Sequence, residues 1–142
     1  MGSRARGEPG GGSLTGSARG GCHCGAVRFV ARFPSRFVAH CHCESCRRAH
    51  GAAFVTWAGF PSSQVEVVAG RDSLATHASS PGVVRSFCSE CGTKLFFNAE
   101  RWPGETHVVL AAFDDPLDRA PSGHAFWNEH ASWLPPLASP PA

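Results

Sequence analysis

The chain is 142 residues long, 42% hydrophobic and 17% charged, which supplies enough apolar side chain for one modest core and too much for an intrinsically disordered segment. Its formal net charge of +2 resides in the first 19 residues, where Arg4, Arg6 and Arg19 stand against Glu8, so ten basic and ten acidic groups remain in the body. A neutral body argues against the phosphate-neutralising surface of a nucleic-acid binder, leaving the basic head at most a weak electrostatic tether, and no run approaches the ~18 apolar residues of a membrane span.

In chain order, residues 1–19 form a Gly/Ser/Arg-rich head, expected to be disordered, with Leu14 its only large aliphatic among Gly, Ser, Arg and Ala. That leaves no apolar run for a secretion signal, so the expected compartment is the cytoplasm. The globular domain is expected over 20–134. It opens on Cys22-His23-Cys24, then alternates short β-branched and aromatic segments with turn residues. The predicted strands are 26–33, 36–39, 53–57, 64–68, 83–87, 94–97 and 106–110. Phe60-Pro61-Ser62-Ser63, Gly70-Arg71-Asp72, Ser80-Pro81-Gly82, Pro103-Gly104 and Asp114-Asp115-Pro116 punctuate them. One short helix is expected after Cys43, through Arg47-Arg48-Ala49-His50, and 135–142 is a Pro-rich tail. The fold class is therefore mainly β, stapled by metal, with few short helices.

The metal inference rests on seven cysteines in three tight groups, Cys22/Cys24, Cys41/Cys43/Cys46 and Cys88/Cys91. Thiols one or two residues apart make poor disulfides with each other but converge readily on a tetrahedral ion, with Zn–S about 2.3 Å. The odd count leaves one thiol over in any all-disulfide scheme, and a reducing compartment favours metal. Cys22, Cys24, Cys88 and Cys91 together give four thiolates, a closed structural zinc. Cys41, Cys43 and Cys46 give three, which leaves a coordination position for substrate. Spacing alone permits other groupings: Cys22/Cys24 could share an ion with part of the middle group, and His40, His42 or His50 could close the three-cysteine site. His42 is disfavoured, because in extended backbone its side chain points away from Cys41 and Cys43.

Three segments together, Gly20-Gly21-Cys22-His23-Cys24-Gly25-Ala26-Val27-Arg28-Phe29, Cys41-His42-Cys43-Glu44-Ser45-Cys46-Arg47-Arg48-Ala49-His50-Gly51 and Phe87-Cys88-Ser89-Glu90-Cys91-Gly92-Thr93-Lys94-Leu95-Phe96, resemble the glutathione-dependent formaldehyde-activating enzyme family, also called the centromere protein V domain family. The closing Asp114-Asp115-Pro116, Pro121, His124 and Trp133-Leu134 are similar too. The resemblance implies an Mss4-like β fold. It also implies two zinc ions per chain, a structural one on Cys22, Cys24, Cys88 and Cys91 and a catalytic one on Cys41, Cys43 and Cys46. The implied activity is that of a carbon-sulfur lyase, with glutathione and formaldehyde as small-molecule partners that form and release S-(hydroxymethyl)glutathione.

The residues agree with that chemistry. Three sulfur ligands make zinc a poor source of hydroxide but keep a bound thiolate exchangeable, which favours sulfur chemistry over hydrolysis. Arg47 and Arg48, directly after Cys46, are the expected docking groups for glutathione's carboxylates, set against the alternative of a solvated face. Trp57, Phe96, Phe97, Trp127 and Trp133 are read as core or cavity wall. A zinc-stabilised binding or adaptor module on the same fold and a redox-sensing thiol protein are the rival classes.

Overall fold

Side chains alternate across extended backbone, so each apolar segment of this chain offers one face to a neighbour, and the result is two sheets. The computed structural model describes residues 16–135, which carry ten strands and one α-helix. β1 (Ser17–Gly21), β2 (Arg28–Arg32) and β5 (Val65–Ala69) form an antiparallel sheet in the order β1-β2-β5. The larger sheet contains β3 (Phe37–Cys41), β4 (Val55–Pro61), β6 (Leu74–Ser80), β7 (Val83–Cys88), β8 (Lys94–Ala99), β9 (Glu105–Val109) and β10 (His124–Ala125). Its order is β10-β3-β4-β9-β8-β7-β6, antiparallel except where β10 joins β3 with His124 beside His40 and Ala125 beside Cys41.

The middle strands of the larger sheet, β4, β8 and β9, are buried on both faces. Ala58 and Phe60 on β4, Phe96 on β8 and Val108 on β9 pack with Phe29 and Ala31 of the small sheet. Trp57 and Phe97, next neighbours of Ala58 and Phe96, belong instead to a second cluster with Cys41, Cys46, Val55 and Ala99. The cysteines divide the same way. Cys22 and Cys88 lie in the first core and Cys41 and Cys46 in the second.

All seven predicted strands are present, and the predicted helix is α1 (Glu44–His50). Cys43 caps it, its Sγ accepting the Cys46 N–H at 3.3 Å, and Gly51 ends it at φ 61, where a glycine carries no Cβ penalty. Three strands were not predicted: β1, β6 and β10. β1 also corrects the domain boundary, since residues 17–19 of the expected head pair with β2 and Ala18 is fully buried. The rest of the head through residue 15, and the tail from 136, lie outside the described residues. No helix among the described residues is long and apolar enough to cross a membrane.

Ion pairs then fasten the turn that follows β9. Arg28 reaches Asp114 at 2.5 Å and Arg19 reaches Asp115 at 2.9 Å, drawing the Asp114-Asp115-Pro116 segment onto β1 and β2. Solvent screens pairs at the surface, so their effect here is on the path of the turn more than on stability. Asp118 is fully buried and accepts hydrogen bonds from the Ser35 N–H and hydroxyl at 2.9 and 2.8 Å, which fixes the chain's path toward β10.

Candidate functional site

Sulfur geometry shows what the folded chain can hold. Four tetrahedral thiolates around zinc stand about 3.8 Å apart. Cys22 and Cys24 are separated by 3.6 Å and Cys24 and Cys88 by 3.9 Å, and with Cys91 all four sulfurs lie within 4.8 Å of one another. Backbone N–H groups already face these sulfurs, Val27 toward Cys22 at 3.2 Å and Glu90 toward Cys88 at 3.3 Å. Hydrogen bonds from Thr93 pull the Cys91 thiol down to about 5. All seven cysteines are free of disulfides, so the donor set suits a soft, tetrahedral ion.

Cys41, Cys43 and Cys46 form the second group, also within 4.8 Å, with Cys41 and Cys46 at 3.7 Å. No histidine or carboxylate joins it among the described residues. Cys41 ends β3, Cys43 caps α1 and Cys46 is the buried residue of its first turn, so a tight strand-to-helix corner brings them together. Hydrogen bonds from the Cys41 and Cys43 thiols, assisted by the Arg85 guanidinium, hold the Cys46 thiol well below its ordinary range, and the same sharing pushes Cys41 up.

The histidines weighed as a fourth ligand lie elsewhere. His42 is wholly buried, its Nε2 meets His124 Nδ1 at 2.9 Å, and its ring packs against Phe54 and Trp127. His40 Nδ1 pairs with the Thr56 hydroxyl at 2.8 Å. His50 sets its ring edge-on to Trp57 at 5.3 Å.

The three-cysteine group opens on a cavity of about 400 Å³. Phe37, Trp57, Phe97, Trp102 and His107 wall it, Arg85 and Arg101 add positive charge, and Glu44, Phe126 and Glu129 stand at the α1 and β10 side. Gly59 is required here: a Cβ at that position would lie 2.1 Å from the Phe37 ring, which crosses β4 to meet His107 edge-on at 5.0 Å. Phe126 adopts φ 57, a left-handed conformation that costs a non-glycine residue about 1 kcal/mol or more and that occurs here at the cavity's edge. His107 stacks on Phe97 and bonds Glu105 through Nε2 at 2.9 Å, while burial lowers its pKa.

Arg47 and Arg48 are placed away from this cavity. The Arg47 guanidinium donates to the His42 and Glu129 carbonyls, Arg48 pairs with Glu44 at 3.1 Å, and both line a shallow depression beside Trp133. Of the aromatic residues singled out from sequence, Trp57 and Phe97 wall the cavity and Phe96 belongs to the first core. Trp127 stacks on His130 at 3.9 Å and Trp133 is 68% exposed. The sequence reading missed Arg85, Arg101, Trp102 and His107. For Arg85 a signal existed, because in Val83-Val84-Arg85-Ser86-Phe87 a lone arginine occupies the period shared with Val83 and Phe87.

A pH effect follows from His50, which burial, then the Arg85 charge, brings from 6.5 down to about 4. As pH falls below 6.5 the unfolded chain takes up this proton first, so stability declines between 6.5 and about 4. His50→Gln removes up to about 1.4 kcal/mol per pH unit from that acid slope. Urea unfolding of both proteins on either side of 6.5, at one zinc concentration, measures it; parallel slopes refute it.

The family model described as glutathione-dependent formaldehyde-activating enzyme matches residues 17–129. A Halomonas elongata protein provisionally given that same name is 31% identical over 123 residues, covering 81% of this chain and 78% of its own. An uncharacterized lyase of Schizosaccharomyces pombe is 33% identical over 78 residues, 55% of each chain. A Rhodobacter sphaeroides protein of known crystal structure superposes with a TM-score of 0.59 at 28% identity, over 68% of this chain and 87% of that one.

Proposed function

Because the chain belongs to the glutathione-dependent formaldehyde-activating enzyme family, we propose that its Cys41–Cys43–Cys46 cavity forms and cleaves the carbon-sulfur bond between glutathione and formaldehyde. The observation that carries this reading is the contrast between the two sulfur groups, four thiols closed on themselves and three facing a cavity. Zinc is the proposed metal at both, and at the three-cysteine group it would supply an open position where a thiol binds as thiolate.

In the synthetic direction the sulfur lone pair forms the C–S bond, the carbonyl π pair moves to oxygen, and that oxygen takes a proton equivalent to the one the thiol gave up. The lyase direction reverses each step. His107 is the proposed proton carrier: with Nε2 committed to Glu105, its other nitrogen remains available on the cavity wall. The Trp57, Phe97 and Trp102 side chains reduce the polarity of the wall, which strengthens electrostatic contacts inside.

For docking, Arg101 replaces the arginines suggested by sequence. Its guanidinium lies 4.3 Å over the Trp102 ring at the cavity wall, available to a carboxylate, whereas Arg47 and Arg48 are engaged with the protein itself. Glu129, which also lines the cavity and accepts the Glu44 N–H through Oε1 at 2.9 Å, is the proposed complementary charge for the tripeptide's ammonium group. Calorimetric titration of the zinc-loaded protein with glutathione tests the assignment. Arg101→Ala should weaken binding by about 2 kcal/mol and Arg48→Ala by almost nothing. Equal binding by zinc-loaded and zinc-stripped protein would overturn the reading.

A further inference from the structure

Among the described residues Arg85 is the buried cation, 8% exposed in the middle of β7. Arg19, Arg28, Arg36, Arg48 and Arg119 each stand within ion-pair reach of a carboxylate, but Arg85 has no such partner among the described residues. Its Nε donates to the Ser79 hydroxyl at 3.2 Å, its guanidinium carbon lies 5.0 Å over Phe97, and both Nη atoms approach Cys46 Sγ at 3.9 Å. Burying a guanidinium without an anion is strongly unfavourable, so the interior must supply the opposite charge. The sulfur cluster is the anion within reach.

We propose that Arg85 is the counter-charge of the three-cysteine site, and that it tunes this site to accept an anionic sulfur ligand in preference to a neutral one. The inference rests on the proposed metal reading. A divalent ion with three thiolates carries one net negative charge, and a substrate thiolate entering beside it would make two. In a poorly hydrated cavity that second charge is repelled unless a fixed cation stands close by. Arg85 occupies that place. It touches Cys46 from the sheet side and also lines the cavity, so its field acts on both the resident and the incoming sulfur. Phe97 and Ser79 hold the guanidinium there, and neither competes as an anion. Glutathione, or any small thiol bound as thiolate, gains from this charge, whereas a neutral donor such as imidazole gains little.

The test uses the full chain loaded with cobalt(II), whose sulfur-to-metal absorption reports ligand entry without turnover, titrated separately with glutathione and with imidazole. Arg85→Met should keep the cobalt in both sites but weaken glutathione on the order of tenfold, with imidazole changed by less than about twofold. Arg85→Lys, which keeps the charge, should restore most of the glutathione affinity. Arg85→Gln provides the same comparison if the Met side chain prevents folding. An equal loss for both ligands would show a merely structural arginine and overturn the proposal, as would no loss for either. Absence of a cobalt-sulfur band change with glutathione in the unsubstituted protein would bring down the proposed function itself, and the Arg85 proposal with it. Normal glutathione entry with an insensitive Arg85→Met would bring down the latter alone.

Discussion

Cys88→Ser should leave the chain unable to maintain its fold. Cys88 is fully buried at the end of β7, and its sulfur lies 3.9 Å from that of Cys24, 64 residues earlier in the chain. The four-cysteine group thereby joins the turn between β1 and β2 to the turn between β7 and β8, and so ties the small sheet to the large one. A structural zinc of this kind contributes on the order of 10 kcal/mol of apparent binding free energy, comparable with the whole stability of a domain this size. Losing one of four thiolates, and burying a hydroxyl in its place, should cost several kcal/mol and lower the melting temperature by roughly 15 °C or abolish the soluble form. Circular dichroism of a thermal ramp reads it. An unchanged transition would mean that these sulfurs hold no ion.

Cys43→Ser should do the opposite, leaving the fold intact while emptying the second site. Cys43 is half-buried, and its structural task is to cap α1 by accepting the Cys46 N–H. Serine is among the best capping residues, so the helix should lose less than about 1 kcal/mol. A neutral hydroxyl is, however, a poor replacement for a thiolate ligand. Metal analysis should find two zinc ions in the unsubstituted protein and one in the variant, with the melting temperatures within a few degrees. Should Cys43→Ser unfold as Cys88→Ser does, the middle group is a structural site and the enzyme reading gives way to that of a zinc-stabilised binding module.

Strands such as Val65–Ala69 and Lys94–Ala99 were readable because they are short runs rich in β-branched or aromatic residues bounded by turn residues. β6 was not, since Leu74–Ser80 is an edge strand exposed over most of its length and carries polar residues on both faces. β1 escaped notice for a related reason. Its inward residues, Ala18 and Gly20, are small, and Gly20 must be, because a Cβ there would lie 2.5 Å from the Phe29 ring.

The cysteine groups were visible in their spacing, but which segments share an ion depends on how two sheets pack, and spacing does not encode that. Arg47 and Arg48 show the same limit at closer range. Adjacent to Cys46 in sequence, they are turned about 100° and 200° from it around α1, so the helix that directs Cys46 into the second core carries them to another surface. Arg85, 39 residues beyond Cys46, is instead the arginine in contact with it.

The most direct test is exchange spectroscopy on an equilibrium mixture of glutathione and formaldehyde. The magnetisation-transfer rate between free glutathione and its hydroxymethyl adduct is measured with no protein, with the zinc-loaded chain, and with Cys43→Ser at the same concentration. The rate should rise in proportion to zinc-loaded protein and fall to the spontaneous value with Cys43→Ser. A rate that stays at the spontaneous value for the zinc-loaded chain, or one that Cys43→Ser matches, would contradict the proposed function.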